Sequence, residues 1–302
     1  MPMPREAPAG RRAFVLRYVT GLLGLALIGC TGEPSPGASV ALAQGDVARG
    51  AYLTAVFCCQ ECHTVRQADD VHLEGSLLFA GGVALPGRDG SVVHSANVTI
   101  ASQYPEQVLE GIIRGRLAYK LMMPTDLYNG MAADDMRDIL AYLKTLRPML
   151  RPLPDNHLAP QFVLPPPNPS VPMPAHEPAI GTLERGEYLS RMFLCQDCHS
   201  PRDAAGAYVP GHLFEGGGFQ EPLPDGHLLT APNLTPDRDT GLGAWSDAEI
   251  VRAIRTGIGR GGRHLHPAMP SAVAFHQMTS QDAGDLVRFL RSLKPVKRSW
   301  PR

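Results

Sequence analysis

Two copies of one five-residue pattern in this 302-residue chain combine residue types that can do chemistry. Cys59-Gln60-Glu61-Cys62-His63 and Cys195-Gln196-Asp197-Cys198-His199 each place two cysteines before a histidine, and they lie 136 positions apart. Two thiols at this spacing can form thioethers with the vinyl groups of a porphyrin, and the adjoining imidazole can bind its iron. The pattern predicts two covalently bound haem c groups, whereas a thiol redox pair or a zinc site is the alternative interpretation. The predicted attachment residues are Cys59, Cys62, Cys195 and Cys198, and the predicted iron ligands are His63 and His199.

The second ligand of each iron must approach from the face opposite the histidine. A methionine followed by a proline occurs at matching places in the two halves, which makes Met123 and Met269 the predicted ligands. A thioether ligand raises the reduction potential relative to a second imidazole, which suits an electron carrier. Met122 is an alternative to Met123 after a one-residue shift, and His264 and His266 are alternatives to Met269.

The two patterns belong to a longer internal repeat. Arg49-Gly50-Ala51-Tyr52-Leu53 precedes the first pattern, and Arg185-Gly186-Glu187-Tyr188-Leu189 precedes the second at the same distance. Downstream, Asn97-Val98-Thr99 and Asn233-Leu234-Thr235 are again 136 positions apart. A repeat of this kind indicates that each half is one structural unit. The segments before the patterns are predicted to be short helices that lead into the haem sites.

Apolar periodicity predicts two more helices in each half. Residues 108–115 and 250–257 match one another, and each has an apolar helical pattern that ends in glycine. Apolar residues three and four positions apart predict closing helices over residues 136–146 and 286–293. Thr279 precedes the last of these and, with Asp282 three residues later, resembles a capping box.

These elements predict an all-α fold with two domains, residues 46–147 and 181–295, followed by a short tail over 296–302. The residues between them, 148–180, are rich in proline, with eleven prolines in 148–179. Proline cannot continue a helix and favours extended structure. This segment is therefore predicted to be a linker or an arm laid across a domain surface.

The N-terminus has the pattern of a lipoprotein signal peptide. Residues 1–17 contain four arginines, and an uncharged apolar run over 18–29 ends at Leu27-Ile28-Gly29-Cys30. The run has about a dozen residues, whereas a transmembrane helix needs about 20. We therefore predict a signal peptide over 1–29, lipidation of Cys30 and a flexible tether over 30–45. These features predict a bacterial periplasmic protein that a lipid anchor holds at a membrane.

The remaining cysteine has a predicted structural role, and the charge balance bears on the class of binding partner. Four of the six cysteines belong to the haem patterns and one to the lipid site, which leaves Cys58. Cys58 is predicted to be a small buried apolar residue, with a mixed disulfide or a shifted haem attachment as alternatives. The formal net charge is −1, and removal of residues 1–29, with four arginines and Glu6, changes it to −4. Because no basic run is present, nucleic acid is not an expected partner.

The chain resembles a di-haem member of the class I cytochrome c group, of the kind found as cytochrome subunits of membrane-bound periplasmic dehydrogenases for alcohols and sugars. The resemblance covers about residues 46–147 and 181–294. Besides the second Cys-x-x-Cys-His pattern, it is carried by Gly186-Glu187-Tyr188-Leu189, Asn233-Leu234-Thr235-Pro236, Thr240-Gly241-Leu242-Gly243-Ala244-Trp245, Arg252-Ala253-Ile254-Arg255-Thr256-Gly257 and Pro267-Ala268-Met269-Pro270. The resemblance implies two tandem class I cytochrome c domains, each with crossing first and last helices, joined by the proline-rich linker. Gly50 would then face Tyr142, and Gly186 would face Phe289.

The same resemblance implies an electron carrier without catalytic residues. Its redox partners would be a periplasmic dehydrogenase as donor and a cytochrome or terminal oxidase as acceptor. The alternative is a di-haem oxidoreductase, such as a cytochrome c peroxidase or a thiosulfate dehydrogenase, which needs an iron with an open position. A methionine-proline pair in both halves favours the carrier. The first half departs from the family pattern, because it lacks the Thr-Gly-x-Gly-x-Trp block and has Ile100 in place of Pro236.

Overall fold

The structure is a computed structural model that describes residues 44–300, except 70–71, 88, 118–121, 205, 224 and 272. The predicted signal peptide over 1–29, the lipidation site Cys30 and all but the end of the predicted tether lie outside the described residues. Within the described part, no helix has the length and apolar character needed to cross a membrane.

Helices form most of the regular structure in the described part of the first half. They are α1 (Val47–Val56), α2 (Cys59–His63), α3 (Glu106–Ile113), α4 (Thr125–Tyr128) and α5 (Ala133–Leu143). α1 begins after Asp46, whose carboxylate accepts a hydrogen bond from the backbone N–H of Arg49 at 3.0 Å. This satisfies one of the N–H groups that have no partner inside the helix.

The second half repeats this arrangement. Its helices are α6 (Leu183–Met192), α7 (Cys195–His199), α8 (Asp247–Thr256) and α9 (Ser280–Ser292). α8 starts with a full capping box formed by Ser246 and Glu249, and it ends at Gly257, whose φ of 68° lies in the left-handed region. The helices predicted before the haem patterns, over residues 250–257 and at the end of each half are therefore all present.

Each half also contains a two-stranded antiparallel hairpin that an all-α fold does not include. β1 (Ala84–Pro86) pairs with β2 (Val92–His94), and β3 (Gln220–Pro222) pairs with β4 (Leu228–Thr230). The turns contain Asp89-Gly90 and Asp225-Gly226, and the two glycines have φ values of 86° and 84°. Glycine adopts such angles without strain, and the preceding aspartates cap the turns. The fold is mostly helical, and the prediction of an all-α fold is corrected by these three-residue strands.

The first and last helices of each half cross at a glycine. A Cβ atom built on Gly50 would lie 1.9 Å from a carbonyl oxygen of α5 and 2.8 Å from the Cβ of Tyr142. A Cβ atom built on Gly186 would lie 2.2 Å from a carbonyl oxygen of α9 and 2.6 Å from the Cβ of Phe289. Only glycine allows this approach, so the expected contacts Gly50–Tyr142 and Gly186–Phe289 are confirmed.

Substitution of the second crossing glycine tests this packing. We expect Gly186→Ala to lower the free energy of unfolding by about 1–3 kcal/mol, the usual effect of adding atoms to a packed contact. Gly284→Ala is the matched control, because Gly284 also lies inside a helix but a Cβ there meets no atom within 4 Å. The control is expected to stabilise the protein by about 0.5–1 kcal/mol. Denaturant titration measures both effects, and a neutral Gly186→Ala would contradict the close crossing.

The proline-rich residues 148–180 form an arm on the first half. His157 pairs with Val92 of β2 through two backbone hydrogen bonds of 2.7 and 2.8 Å. Farther along, the carbonyl oxygen of Pro174 accepts a hydrogen bond of 2.9 Å from the N–H of Ala133, at the start of α5. Of the two predictions for this segment, a linker or an arm, the structure shows the arm.

An ion-pair network about Glu177, which the arm supplies, joins the two halves. One carboxylate oxygen of Glu177 lies 3.3 Å from the guanidinium of Arg49, and the other lies 3.2 Å from that of Arg185. Each arginine also binds two aspartates of the closing helix in its own half. These aspartates are Asp135 and Asp138 for Arg49, and Asp282 and Asp285 for Arg185.

The repeated tyrosines extend this network across the interface between the halves. The hydroxyl of Tyr188 donates to Asp135 and accepts a hydrogen bond of 3.1 Å from the backbone N–H that precedes α5. Tyr52 makes the matching contacts with Asp282 and with the N–H of Thr279. The predicted capping box at Thr279 is half formed. The Thr279 hydroxyl accepts a hydrogen bond from the N–H of Asp282, but the N–H of Thr279 donates to Tyr52 instead of to the Asp282 side chain.

Aromatic side chains make the core continuous between the halves. The ring centroids of Phe57 and Phe193 are 5.8 Å apart, and those of Phe193 and Phe275 are 6.1 Å apart. Buried residues of both halves belong to one hydrophobic cluster, and the described residues form one compact unit. The division into domains at 46–147 and 181–295 stays a prediction.

Candidate functional site

α2 and α7 hold the two Cys-x-x-Cys-His patterns in the same backbone geometry. Each helix follows a non-glycine residue in the left-handed conformation, Cys58 with a φ of 63° and Leu194 with a φ of 59°. Such residues are uncommon and often occur at constrained functional sites. Cys58 is buried and forms no disulfide with any described cysteine, and the equivalent residue of the second half, Leu194, is apolar. The burial of Cys58 supports its predicted role as a small apolar residue.

A backbone carbonyl orients the histidine of each pattern. Nδ1 of His63 lies 2.8 Å from the carbonyl oxygen of Ala96, and Nδ1 of His199 lies 2.8 Å from that of Pro232. A carbonyl oxygen can only accept, so Nδ1 donates the hydrogen bond and Nε2 is left to bind a metal. Burial lowers the pKa of both imidazoles more than these hydrogen bonds raise it. The neutral form, which metal binding requires, is therefore favoured.

Burial disfavours the ionised form of the four pattern cysteines. Burial raises the pKa of Cys59, Cys195 and Cys198 to about 12. Burial also raises the pKa of Cys62 to about 11, and negative charge on Glu61 and on Asp197 of the other pattern adds to this effect. Raised thiol pKa values of this kind reflect an apolar surrounding.

One cavity of about 2240 Å³ contains both patterns. His63 and His199 line it together with mostly apolar side chains from both halves. Pockets for single small ligands usually measure about 300–1,000 Å³, so this cavity has room for two large groups. An apolar cavity with two oriented neutral imidazoles and four thiols provides what two covalently bound haem groups require. The residues present therefore fit the predicted cofactor.

The two predicted methionine ligands line this same cavity in matching backbone geometry. The carbonyl oxygen of Met123 accepts a hydrogen bond of 2.7 Å from the N–H of Thr125. The carbonyl oxygen of Met269 accepts a hydrogen bond of 2.7 Å from the N–H of Ser271. This equivalence supports Met123 and Met269 as a pair, and their binding to iron stays a prediction.

The alternative ligands lie nearby. Met122 also lines the cavity, and its Cε lies 2.5 Å from the place of a Cβ on Gly87, in the turn of the first hairpin. His266 lines the cavity as well, although it is exposed and its Nδ1 accepts a hydrogen bond of 3.2 Å from a backbone N–H. His264 is exposed and is not among the described lining residues.

The repeated Asn-x-Thr motif fastens the chain where it leaves each closing helix. The side-chain amide of Asn97 donates to the carbonyl oxygen of Met149, and that of Asn233 donates to Val296, both at 2.7 Å. The threonine hydroxyl of each motif accepts the N–H of the same residue, at 2.9 and 3.1 Å. The motif therefore has a structural role, and its asparagines, Asn97 and Asn233, themselves line the cavity.

Sequence reasoning did not identify the cations at the cavity. The arginines that line it among the described residues all belong to the second half: Arg202, Arg238, Arg260 and Arg263. Arg202 stacks on the ring of Tyr208 at 4.0 Å and binds Asp197 of the second pattern. The sequence did contain a signal for Arg260 and Arg263, because residues 250–281 contain four arginines and no acidic residue.

The family of the second half follows from comparison with known proteins. Residues 183–294, which include the second pattern, α8 and α9, match the family model described as cytochrome c. The second half is a cytochrome c domain. A cytochrome c domain binds haem c covalently and transfers electrons, so the resemblance to cytochrome c is confirmed, whereas the number of haem groups stays a prediction.

The protein is also similar to cytochrome subunits of dehydrogenases. The fructose dehydrogenase cytochrome subunit of Gluconobacter japonicus is 26% identical over 293 aligned positions, gaps included, and the alignment covers 88% of this chain and 55% of that subunit. The alcohol dehydrogenase (quinone) cytochrome c subunit of Gluconacetobacter polyoxogenes is 28% identical over 306 aligned positions, gaps included, and the alignment covers 90% of this chain and 60% of that subunit. A diheme cytochrome c-type protein of Cereibacter sphaeroides is 33% identical over 119 residues, 39% of this chain and 38% of that protein. The chain thus spans little more than half the length of the first two.

Proposed function

We propose that this cytochrome binds two haem c groups and carries electrons from a periplasmic donor to a downstream cytochrome or terminal oxidase. The observation that supports this most directly is the matched pair His63 and His199, each held through Nδ1 by a carbonyl oxygen and both facing one cavity. When bound, haem c supplies an iron that alternates between Fe(III) and Fe(II).

The residues of the chain would bind these groups and fill both faces of each iron. A filled sixth position leaves no place for a substrate, which distinguishes a carrier from an enzyme. The proposed covalent attachment residues are Cys59, Cys62, Cys195 and Cys198, and the proposed axial ligands are His63 with Met123 and His199 with Met269.

A dehydrogenase is the proposed electron donor, because several relatives are cytochrome subunits of dehydrogenases. The proposed location is the periplasmic side of a bacterial membrane, with a lipid on Cys30 as the anchor. The apolar run that ends at Leu27-Ile28-Gly29-Cys30 supports this proposal.

Carbon monoxide distinguishes the carrier from the alternative of a di-haem oxidoreductase such as a peroxidase. Carbon monoxide binds ferrous haem only where a coordination position is open or weakly held. The visible spectrum of the dithionite-reduced protein is expected to stay unchanged on addition of the gas, since methionine would fill both positions. A clear shift at one haem would reveal an accessible iron and would favour the enzyme.

A further inference from the structure

Positive charge is concentrated in one segment of the second half. Residues 250–281 contain four arginines, three histidines and no aspartate or glutamate, although the whole chain has a formal net charge of −1. The corresponding segment of the first half, residues 108–134, contains three acidic and three basic residues and has no formal net charge. The two haem sites therefore differ in the charge of the segment that leads to the predicted methionine ligand.

A tight loop after α8, residues 257–265, presents two of these arginines. The N–H of Leu265 donates to the carbonyl oxygen of Gly257, and the N–H of Gly259 donates to that of Arg263, both at 2.7 Å. The guanidinium of Arg252 binds the carbonyl oxygens of residues 258 and 259 at 3.2 and 3.1 Å. The loop, which we name the basic loop, is thus held by backbone and side-chain hydrogen bonds, with Arg260 and Arg263 at its tip.

Both tip arginines border the shared cavity and remain open to solvent. The side chain of Arg260 is 52% exposed, and its ion pair with Glu249 is long, at 3.9 Å. Within the described part of the chain, no ion pair or side-chain hydrogen bond holds Arg263. Their charges are therefore neither buried nor neutralised by a close carboxylate, and they project an electrostatic field into solvent at the rim of the second site.

The rim of the first site is different, because the arm covers part of it. Asn156 accepts a hydrogen bond of 2.7 Å from the N–H of His94, and the N–H of Ala159 donates to Ser91 at 2.9 Å. The arm residues Phe162 and Pro165 line the cavity beyond these contacts. A protein partner thus meets a proline-rich cover at the first site and a basic rim at the second.

We propose that the basic loop is a docking surface through which the second haem site exchanges electrons with an acidic redox protein. This inference rests on the proposed electron-transfer function. Positive charge beside the redox centre would steer an acidic partner to the productive orientation and raise the association rate. A basic partner would be repelled from the same rim.

The test compares an acidic and a basic electron acceptor in stopped-flow mixing with the reduced, full-chain holoprotein. Plastocyanin, an acidic blue-copper protein, is the first acceptor, and mitochondrial cytochrome c, a basic protein, is the second. At about 0.01 M salt, where the Debye length is about 30 Å, Arg260→Glu/Arg263→Glu is expected to lower the rate with plastocyanin by about tenfold or more. The rate with mitochondrial cytochrome c is expected to stay equal or to rise.

Arg147→Glu/Lys294→Glu is the matched control. It makes the same change in net charge at two exposed residues that do not line the cavity. Its rate with plastocyanin is expected to fall by clearly less than that of Arg260→Glu/Arg263→Glu, because its substituted charges change the net charge but do not line the cavity that the docking surface borders.

Three results would overturn the docking proposal: an unchanged rate with plastocyanin in Arg260→Glu/Arg263→Glu, an equal fall in the control variant, or an equal fall with both acceptors. An equal fall with both acceptors would show that the substitutions change the haem itself and not the docking of an acidic partner. A wild-type holoprotein that reduces neither acceptor would instead overturn the proposed electron-transfer function.

Discussion

Met269→Leu is expected to open the proposed iron of the second site to carbon monoxide and to lower the reduction potential of that haem alone. Leucine has nearly the volume of methionine but no sulfur to bind iron, so the packing penalty is expected to be less than about 1.5 kcal/mol. Axial ligands and their surroundings set haem potentials over a range of about 0.8 V, and we expect a shift on the order of 0.1 V. A spectroelectrochemical titration, with a carbon monoxide difference spectrum, measures both effects.

Two variants of the first half provide the control and settle the ligand there. Met123→Leu is expected to open the other iron in the same way, whereas Met122→Leu is expected to leave both haems unchanged. If Met122→Leu is the variant that opens the iron, the one-residue shift is correct. A Met269→Leu protein with the spectrum and potential of the wild type would remove the assignment of the second ligand.

Arg185→Ala is expected to lower the free energy of unfolding by about 3–5 kcal/mol, as does removal of one partner from a buried ion pair. The Arg185 side chain is only 6% exposed, and those of Asp282 and Asp285 are 6% and 1% exposed. Without the guanidinium, the buried carboxylate of Asp282 loses its cation, and that of Asp285 keeps only the half-exposed Arg288. Glu177 also loses one of the two arginines that it bridges between the halves.

Arg288→Ala is the matched control for this substitution. Arg288 binds the same Asp285 at 2.8 Å, but its side chain is 49% exposed, so its loss is expected to change stability by at most about 1 kcal/mol. Denaturant titration of the holoprotein compares the two variants. Equal, small losses would show that the network adds little to stability.

The same network predicts how acid affects the difference between wild type and Arg185→Ala. Burial raises the pKa of Asp285, but hydrogen bonds from the Gly181 N–H and from Arg185 lower it more, so its pKa lies below the ordinary value. The stabilising contribution is therefore fully present above the unfolded carboxyl pKa of about 3.9 and is lost as pH falls through the lower folded-state pKa. The stability of Arg185→Ala is expected to fall less steeply with acid, which unfolding titrations over a pH series would measure.

Local sequence determined the parts of this protein that depend on short spacings. The two Cys-x-x-Cys-His patterns predict haem attachment because the chemistry needs those residues within one helical turn, and the structure places both patterns on short helices. Apolar periodicity predicted the closing helices for the same reason. The hairpins could also have been predicted from the sequence, because Asp89-Gly90 and Asp225-Gly226 recur at the repeat distance of 136 positions and such dipeptides favour tight turns.

Only the tertiary structure decided how the two halves meet. Tyr52 and Tyr188 are visible in the sequence as repeated residues, but nothing local shows that each binds the closing helix of the other half. Glu177 lies in a proline-rich segment with no periodic pattern, yet it bridges Arg49 and Arg185 at the centre of the interface. These contacts join residues up to 230 positions apart, and the single cavity depends on them as well. Spacing along the chain encodes local geometry, whereas such distant pairings depend on the packing of the whole fold.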